Sequence, residues 1–228
     1  MEPKQILLGI FIVIILVVLY NWLFSDKTIK NVITLKDASL KEIINAKDIE
    51  HTANFSYSLW VFINDYNYNY GQDKNIVVLT EESTSTATQP AKHYQLYLDA
   101  FKGGLTFELF SPTVSGEKPS TKCVVENIPL QKWTHVLVSY RNRAIDMYID
   151  GKLTKTCTLE KDYDLPQKEL PVLVCPSDND LGIAQGSQLA GFRGFLGSMR
   201  YFTRAVQPRE AYAIYKEGYS SGNWMSDL

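Results

Sequence analysis

Hydrolysis of a glycosidic bond needs two carboxylates facing each other across it, at about 5 to 10 Å. Glu108 stands alone in a strand-like run, and Glu81 and Glu82 sit side by side in a polar stretch. Asp146 alternates with Asp150, but a tight turn claims Asp150. None of these makes the required pair. The three histidines, His51, His93 and His135, are scattered, and no serine–histidine–aspartate set is recognisable. His135, two residues from Trp133, reads as a core histidine hydrogen-bonded to backbone. Cys123, Cys157 and Cys175 match no metal-ligand spacing and cannot all pair within one chain. They read as small buried residues in strands, with Cys123 and Cys157 as the pair to test for a disulfide. The chain is expected not to be an enzyme.

β-Structure must position these groups. Residues 127–159, NIPLQKWTHVLVSYRNRAIDMYIDGKLTKTCTL, read as three strands and two tight turns. In residues 144–149, Ile145, Met147 and Ile149 fall on one face and Asp146 and Tyr148 on the other, the period of two of a half-buried strand. Asn142-Arg143 and Asp150-Gly151 separate the runs, and Asp-Gly tolerates the positive φ angles that a type I′ turn demands. Further strands are expected at residues 55–61, 93–98, 105–110, 122–126 and 194–202, with an edge strand at 32–35. Ser39-Leu40-Lys41-Glu42 has the form of a capping box, predicting a short helix with Leu40, Ile43 and Ile44 on one face. Pro208 and Gly218 bracket a C-terminal helix. Residues 64–74, 81–92 and 111–121 are polar loops.

Residues 6–24 are apolar except for Gly9 and Asn21, and these nineteen residues would make a helix about 28 Å long, enough to cross a bilayer. Tyr20 and Trp22 sit where aromatic rings favour the headgroups. Phe24-Ser25-Asp26 is a poor cleavage site, so the segment reads as a single-pass anchor rather than a signal peptide. Lys27, Lys30 and Lys36 follow it and only Lys4 precedes it, which places the soluble domain on the cytosolic side. Unpaired thiols agree with that side, whereas the sequon Asn54-Phe55-Ser56 points the other way. The expected organisation is an anchor at 1–25, a connector at 26–52 and a domain at 53–228.

Lys132-Trp133-Thr134-His135-Val136 and Met147-Tyr148-Ile149-Asp150-Gly151-Lys152 resemble the centre of the laminin G-like, concanavalin A-like jelly-roll family. Phe55-Ser56-Tyr57-Ser58-Leu59-Trp60-Val61 resembles its early tryptophan strand, and the run from Gly194 to Phe202 with Arg204-Ala205 its closing strand. The resemblance implies an all-β, antiparallel jelly-roll β-sandwich, here preceded by one transmembrane helix and closed by a short C-terminal helix. Related glucanases carry a Glu-x-Asp-x-x-Glu type run, which this sequence lacks. Many relatives bind calcium through loop oxygens. Asp178, Asn179 and Asp180, with Ser177, offer such oxygens, and Asn64, Asp65 or Asp73 could join them, although a solvated turn has the same composition.

Sugar sites on this fold use exposed aromatics beside amides. Tyr66, Tyr68 and Tyr70 alternate with Asn67 and Asn69, which suits a glycan or a protein partner, and an extended loop would put all three rings on one side. Trp224 reads as an exposed anchor, and Trp60 and Trp133 as core. A net charge of -2 and the lack of a basic cluster exclude general attraction to nucleic acid. A lone jelly roll on a short anchor, rich in Tyr, Asn and Lys, also resembles small membrane proteins of large icosahedral DNA viruses, which implies capsid proteins as partners. The expected function is protein docking next to a bilayer, the alternative a membrane-tethered lectin.

Overall fold

The computed structural model describes residues 11, 13–15, 29–81, 91–112, 119–183 and 186–219. Twelve strands lie among them: β1 Ile29–Asp37, β2 Glu42–Ile44, β3 Phe55–Asp65, β4 Lys74–Thr80, β5 Lys92–Leu98 and β6 Leu105–Phe110 open the series. β7 Ser120–Val125, β8 Trp133–Arg141, β9 Ala144–Ile149, β10 Lys152–Thr158, β11 Val172–Val174 and β12 Arg193–Phe202 complete it, and helix α1 spans Pro208–Glu217. The strands form two antiparallel six-stranded sheets, ordered β1-β12-β3-β8-β9-β10 and β2-β11-β4-β5-β6-β7. The expected all-β sandwich with a short C-terminal helix is what the chain adopts. The apolar segment at 6–24 lies outside the described residues, apart from Phe11 and residues 13–15, which are helical. Among the described residues no helix is long and apolar enough to cross a membrane.

The meander forms with the expected turns. Asn142 and Arg143 have φ of 46° and 71°, and Asp150 and Gly151 have 48° and 73°, so both turns place two successive residues at positive φ. A side chain at Gly151 would also meet Tyr212 and Tyr215 of α1. One expectation fails at residues 42–44, where a strand replaces the predicted helix. Ile43 and Ile44 are β-branched, and they pair with Leu173 and Val172 of β11. The amide and hydroxyl of Ser39 both turn back to Asp37 Oδ1, at 2.8 and 2.7 Å, so the serine stabilises a turn behind it rather than a helix ahead. β1 and β2, from the stretch read as a connector, are hydrogen-bonded into the two sheets.

Between the sheets the core is aromatic. The Phe55 ring lies 5.1 Å from Tyr94, 5.6 Å from Tyr163, 5.7 Å from Tyr140 and 6.1 Å from Tyr57. Tyr57 and Tyr94 hydrogen-bond hydroxyl to hydroxyl at 2.7 Å, which lets two buried phenols satisfy each other. A second apolar cluster, with Leu137, Tyr148 and Phe202 against Ala211 and Ile214, packs α1 on the outer face of the first sheet. That packing displaces two residues expected in the core. Trp60 is buried, but under α1 against Tyr215, and Trp133 is only partly covered, by Tyr219 at 4.7 Å.

Cys123 and Cys157 are bridged, which corrects their reading as free thiols, and Cys175 remains a free, buried cysteine. The bridge ties β7 to β10, the edge strands of different sheets. Register fixes the two ends of the sandwich. Ile29 pairs with Phe202 and Phe202 with Ser56 at one end, whereas Asp37 pairs with Phe195 and Phe195 with Phe62 at the other. The loops at 66–73, 99–104 and 126–132 lie together at that far end, joined by Gly71 N–H to Ala100 O at 3.3 Å and Ile128 N–H to Gly103 O at 2.8 Å.

Candidate binding surfaces

At the far end the three tyrosines part company. Hydrogen bonds from Tyr70 N–H to Asn67 O and from Gln72 N–H to Asn69 O fold residues 67–72 into tight turns, with Asn69 at a φ of 56°. The loop is therefore not extended, and the expected one-sided ridge does not form. Tyr66 packs against the core, donates its hydroxyl to Asp99 O and carries the Lys74 ammonium 4.4 Å above its ring. Burial, with Asp99 and Asp73 nearby, pushes its phenol well above the usual range. Tyr68 is half-buried, and burial raises its phenol as well. Tyr70 alone stands out, 64% exposed, edge-to-face with Phe101 at 5.6 Å, and Phe101 is 62% exposed. Asp99 Oδ1 accepts from the amides of Phe101 and Lys102 at 2.9 and 2.8 Å, which fixes the turn that presents Phe101. Trp224 lies outside the described residues.

The outer face of the second sheet is a second surface, which the sequence reading did not single out. Cross-strand pairing aligns Ile43, Leu173, Val78, Gln95, Glu108 and Lys122 in one row from β2 to β7. Lys92 Nζ donates to Gln95 Oε1 at 2.8 Å, and Gln95 Nε2 donates to Glu108 Oε2 at 2.6 Å. Ser120 Oγ donates to Glu108 Oε1 at 2.6 Å, and the Lys122 ammonium stands 3.8 Å from Glu108 Oε2. Burial lowers the Lys92 ammonium, with Glu108, Asp178 and Asp73 opposing it. Beside this network a cleft of about 590 Å³ is lined by Lys41, Ile43, Thr80, Glu81, Glu169 and Asp180, among others. The signal for this face was the alternation itself: Gln95 and Tyr97, Thr106 and Glu108 oppose Leu96, Leu98, Leu105 and Phe107, which enter the core. Glu108 has both oxygens committed to donors, an arrangement that accepts hydrogen bonds and holds a carboxylate in place.

The acidic turn spends its oxygens internally. Asp178 Oδ2 accepts from the Ser187 amide at 3.1 Å, and its Oδ1 faces Asn75 Nδ2 at 3.5 Å. Asp180 Oδ1 binds Lys41 Nζ at 2.5 Å, and its Oδ2 accepts from the amide and hydroxyl of Ser177. Burial pushes the Asp180 carboxyl up, but Lys41 and Ser177 outweigh it and hold the group below its ordinary value. Asn179 is exposed. Among the described residues no three His, Cys, Asp or Glu side chains converge as a metal cluster.

His135 is buried, but its ring nitrogen Nε2 meets the Ser58 hydroxyl at 2.9 Å instead of backbone. Asp150 Oδ1 takes the His135 amide at 2.9 Å, and Nδ1 of the ring has no hydrogen-bond partner among the described residues, so serine, histidine and aspartate do not form a relay. Burial, against a smaller opposing pull from Asp150, lowers His135 from its ordinary 6.5 to about 4. The folded state thus binds this proton less readily than the unfolded chain. Its contribution is complete above about pH 6.5 and is lost as pH falls towards 4, a span of about 2 to 3 kcal/mol. Urea unfolding at pH 7.5 and pH 4 should show that much extra acid loss in the parent over His135→Gln. Equal losses in both would remove the assignment.

The family profile of the concanavalin A-like lectin/glucanases superfamily, laminin G type, matches residues 36–211. Among solved structures, the receptor-binding domain of botulinum neurotoxin D superposes with a TM-score of 0.57 at 15% identity, over 83% of this chain and 46% of that one. The botulinum neurotoxin serotype D ligand-binding domain in complex with N-acetylneuraminic acid gives 0.55 at 13% identity, over 82% and 45%. The serotype G binding domain gives 0.50 at 15%, over 81% and 46%. The chain thus spans less than half the length of these neighbours, and the likeness is one of fold. No curated protein matches the sequence.

Proposed function

We propose that this chain, which belongs to the concanavalin A-like lectin/glucanases superfamily, is a non-catalytic docking protein that binds other proteins next to a bilayer. In this reading residues 1–25 are a single-pass anchor, and the binding domain is the two-sheet sandwich, which takes in β1 and β2 of the stretch read as a connector. The observation that carries it is placement. The exposed pair Tyr70 and Phe101 sits at the end of the sandwich opposite Ile29, the side on which the apolar segment precedes the fold. The eleven-residue β3 separates the two ends by about 35 Å. Rings held on hydrogen-bonded turns, that far from an anchor, suit a partner in a layer above the membrane. A capsid protein over an internal bilayer, as in large icosahedral DNA viruses, is such a partner.

The test is capture of partners from native membranes by full-length protein and by Tyr70→Ser/Phe101→Ser. Loss of the captured protein, with a melting temperature within about 2 °C of the parent, is expected for exposed rings. Capture that survives the double substitution sinks the site, and release of the parent into carbonate supernatant sinks the anchor.

The outer face of the second sheet favours a second reading, glycan binding. A cleft at the β2–β11 end of this face is lined by Lys41, Thr80, Glu81 and Glu169, the polar network of Lys92, Gln95, Glu108 and Lys122 holds the strands of the same face, and one structural neighbour is a ligand-binding domain in complex with N-acetylneuraminic acid. A glycan array with and without calcium separates the readings: glycan signal lost in Gln95→Ala but kept in Tyr70→Ser/Phe101→Ser would favour the lectin.

A further inference from the structure

The cleft beside β2 has an apolar floor and an acidic end. Ile43 on β2 pairs with Leu173 on β11, and Ile43 is 49% exposed. Pro171 extends that floor toward Glu81 and Glu169, which share one end of the cleft because Val172 pairs with Leu79. Among the described residues lining the cleft Lys41 is the one cation, and Asp180 holds it at 2.5 Å at the other end. Glu81 and Glu169 have no lysine or arginine partner among the described residues.

Behind Glu81 lies a buried acceptor without a donor. His93 is 2% exposed, and its Nδ1 donates to Asp164 O at 2.6 Å, since a carbonyl can only accept. In the neutral ring Nε2 then carries a lone pair. It has no hydrogen-bond partner among the described residues and faces Glu81 Oε1 at 3.7 Å, too far for a hydrogen bond. Two acceptors thus face each other at the wall of the cleft. A buried polar atom left in this state calls for a donor from outside the fold.

β2 is the outermost strand of its sheet and is hydrogen-bonded to β11 on one side only. A second hollow of about 570 Å³ is lined by Asn31 and Val32 of β1 together with residues 42–45, so there is open space beside β2. A free strand edge with room beside it accepts an extended chain through backbone hydrogen bonds. On such a chain the residue opposite Ile43 projects on the face of Ile43, about 10 Å, two strand spacings, from β11. A long side chain and the carboxylate of Glu169 close that gap between them.

We propose that an extended segment of a protein partner adds to the free edge of β2 and seats an arginine in this cleft. Its stem lies on Ile43, Leu173 and Pro171, its guanidinium meets Glu81 and Glu169, and an N–H supplies the donor that His93 lacks. Arginine fits better than lysine, because its planar fork spreads five donors over acceptors that stand apart. The two uncommitted carboxylates repel an acidic sugar. The inference rests on the docking reading but uses a surface separate from Tyr70 and Phe101.

A fluorescent seven-residue threonine peptide, with valine second and sixth and arginine central, tests this on full-length protein in detergent micelles. Anisotropy should show binding that weakens about ten-fold or more when citrulline replaces arginine, falls with added salt and persists in EDTA. Glu81→Gln/Glu169→Gln should lose as much with an unchanged melting temperature, since both side chains are exposed. Tyr70→Ser/Phe101→Ser should bind the peptide as the parent does, so failure of the far-end surface and failure of this cleft are read separately. Equal affinity for the arginine and citrulline peptides, or none for either, overturns the proposal. So does binding that survives Glu81→Gln/Glu169→Gln, or that EDTA or Tyr70→Ser/Phe101→Ser abolishes. A glycan-array signal that Glu81→Gln/Glu169→Gln removes would make the cleft a sugar site and overturn it too.

Discussion

Phe55→Ala is expected to cost about 3 to 5 kcal/mol, enough to unfold much of the protein under mild heating. The ring is 1% exposed at the start of β3, and Tyr57, Tyr94, Phe107, Tyr140, Tyr163 and Tyr201 surround it within 6.5 Å. Those neighbours come from both sheets and from the loop after β10, so no single element can move in to fill the space. Four of them also hold hydroxyl contacts that fix their rings: Tyr57 with Tyr94, Tyr201 donating to Glu50 O at 2.9 Å, and Tyr140 accepting from the Tyr163 amide at 3.3 Å. The lost transfer energy and the residual cavity therefore add. At about 2 to 4 °C per kcal/mol, the melting temperature should fall by about 6 to 20 °C. Trp133→Ala is the internal comparison. From sequence alone this tryptophan ranks as core, yet its ring is half-covered and stacks on Tyr219 outside the sandwich. Its loss should cost no more than about half as much as that of Phe55. If the two variants lose equal stability in urea titrations, Trp133 is packed as deeply as Phe55 and its place outside the sandwich core is refuted.

The contrast between Phe55 and Trp133 marks what the sequence discloses. Alternation and turn chemistry are local, and they located the meander, the closing strand and α1 to within a residue or two. Which face of a strand is inner is not local. Trp60 and Trp133 sit in strand-period runs, but α1 covers one outer face and makes it apolar too, so hydrophobicity cannot say which side is core. The same ambiguity hid the second sheet's outer row, where Gln95 and Glu108 look like solvent-facing residues until pairing puts them side by side. Ser39 to Glu42 has the residues of a capping box, and only the non-local pairing of β2 with β11 decides against the helix. Likewise Tyr66, Tyr68 and Tyr70 alternate in sequence, but Asn69 at positive φ turns the backbone between them and sends their rings to different surroundings.

Removing the Cys123–Cys157 bridge should cost about 3 to 4 kcal/mol. The two cysteines are 34 residues apart, and a loop of that length restricts the unfolded chain by about this much in the chain-entropy account. The structural position adds a reason. β7 and β10 are the edge strands of different sheets, so no ladder of backbone hydrogen bonds joins them, and the bridge fastens that side of the sandwich. Cys123→Ala/Cys157→Ala should therefore unfold at lower urea and ignore reductant, whereas the parent should shift to meet it when reductant is added. Thiol titration of unreduced, unfolded parent should count one free group, Cys175, which is buried and whose thiol burial raises to about 12. A count of three would refute the bridge. The outcome reaches beyond stability, because unpaired thiols supported a cytosolic domain. With the bridge present that support is gone, and orientation rests on Lys27, Lys30 and Lys36 against the sequon at Asn54. The sequon is itself built into the fold: Asn54 Oδ1 accepts from the Asn142 amide at 3.3 Å, and Ser56 Oγ accepts from the Val206 amide at 2.9 Å. If the proposed anchor holds, a bridge that persists in protein taken from native membranes would place the domain on the oxidising side, and the lysine count would then be the reading to give up.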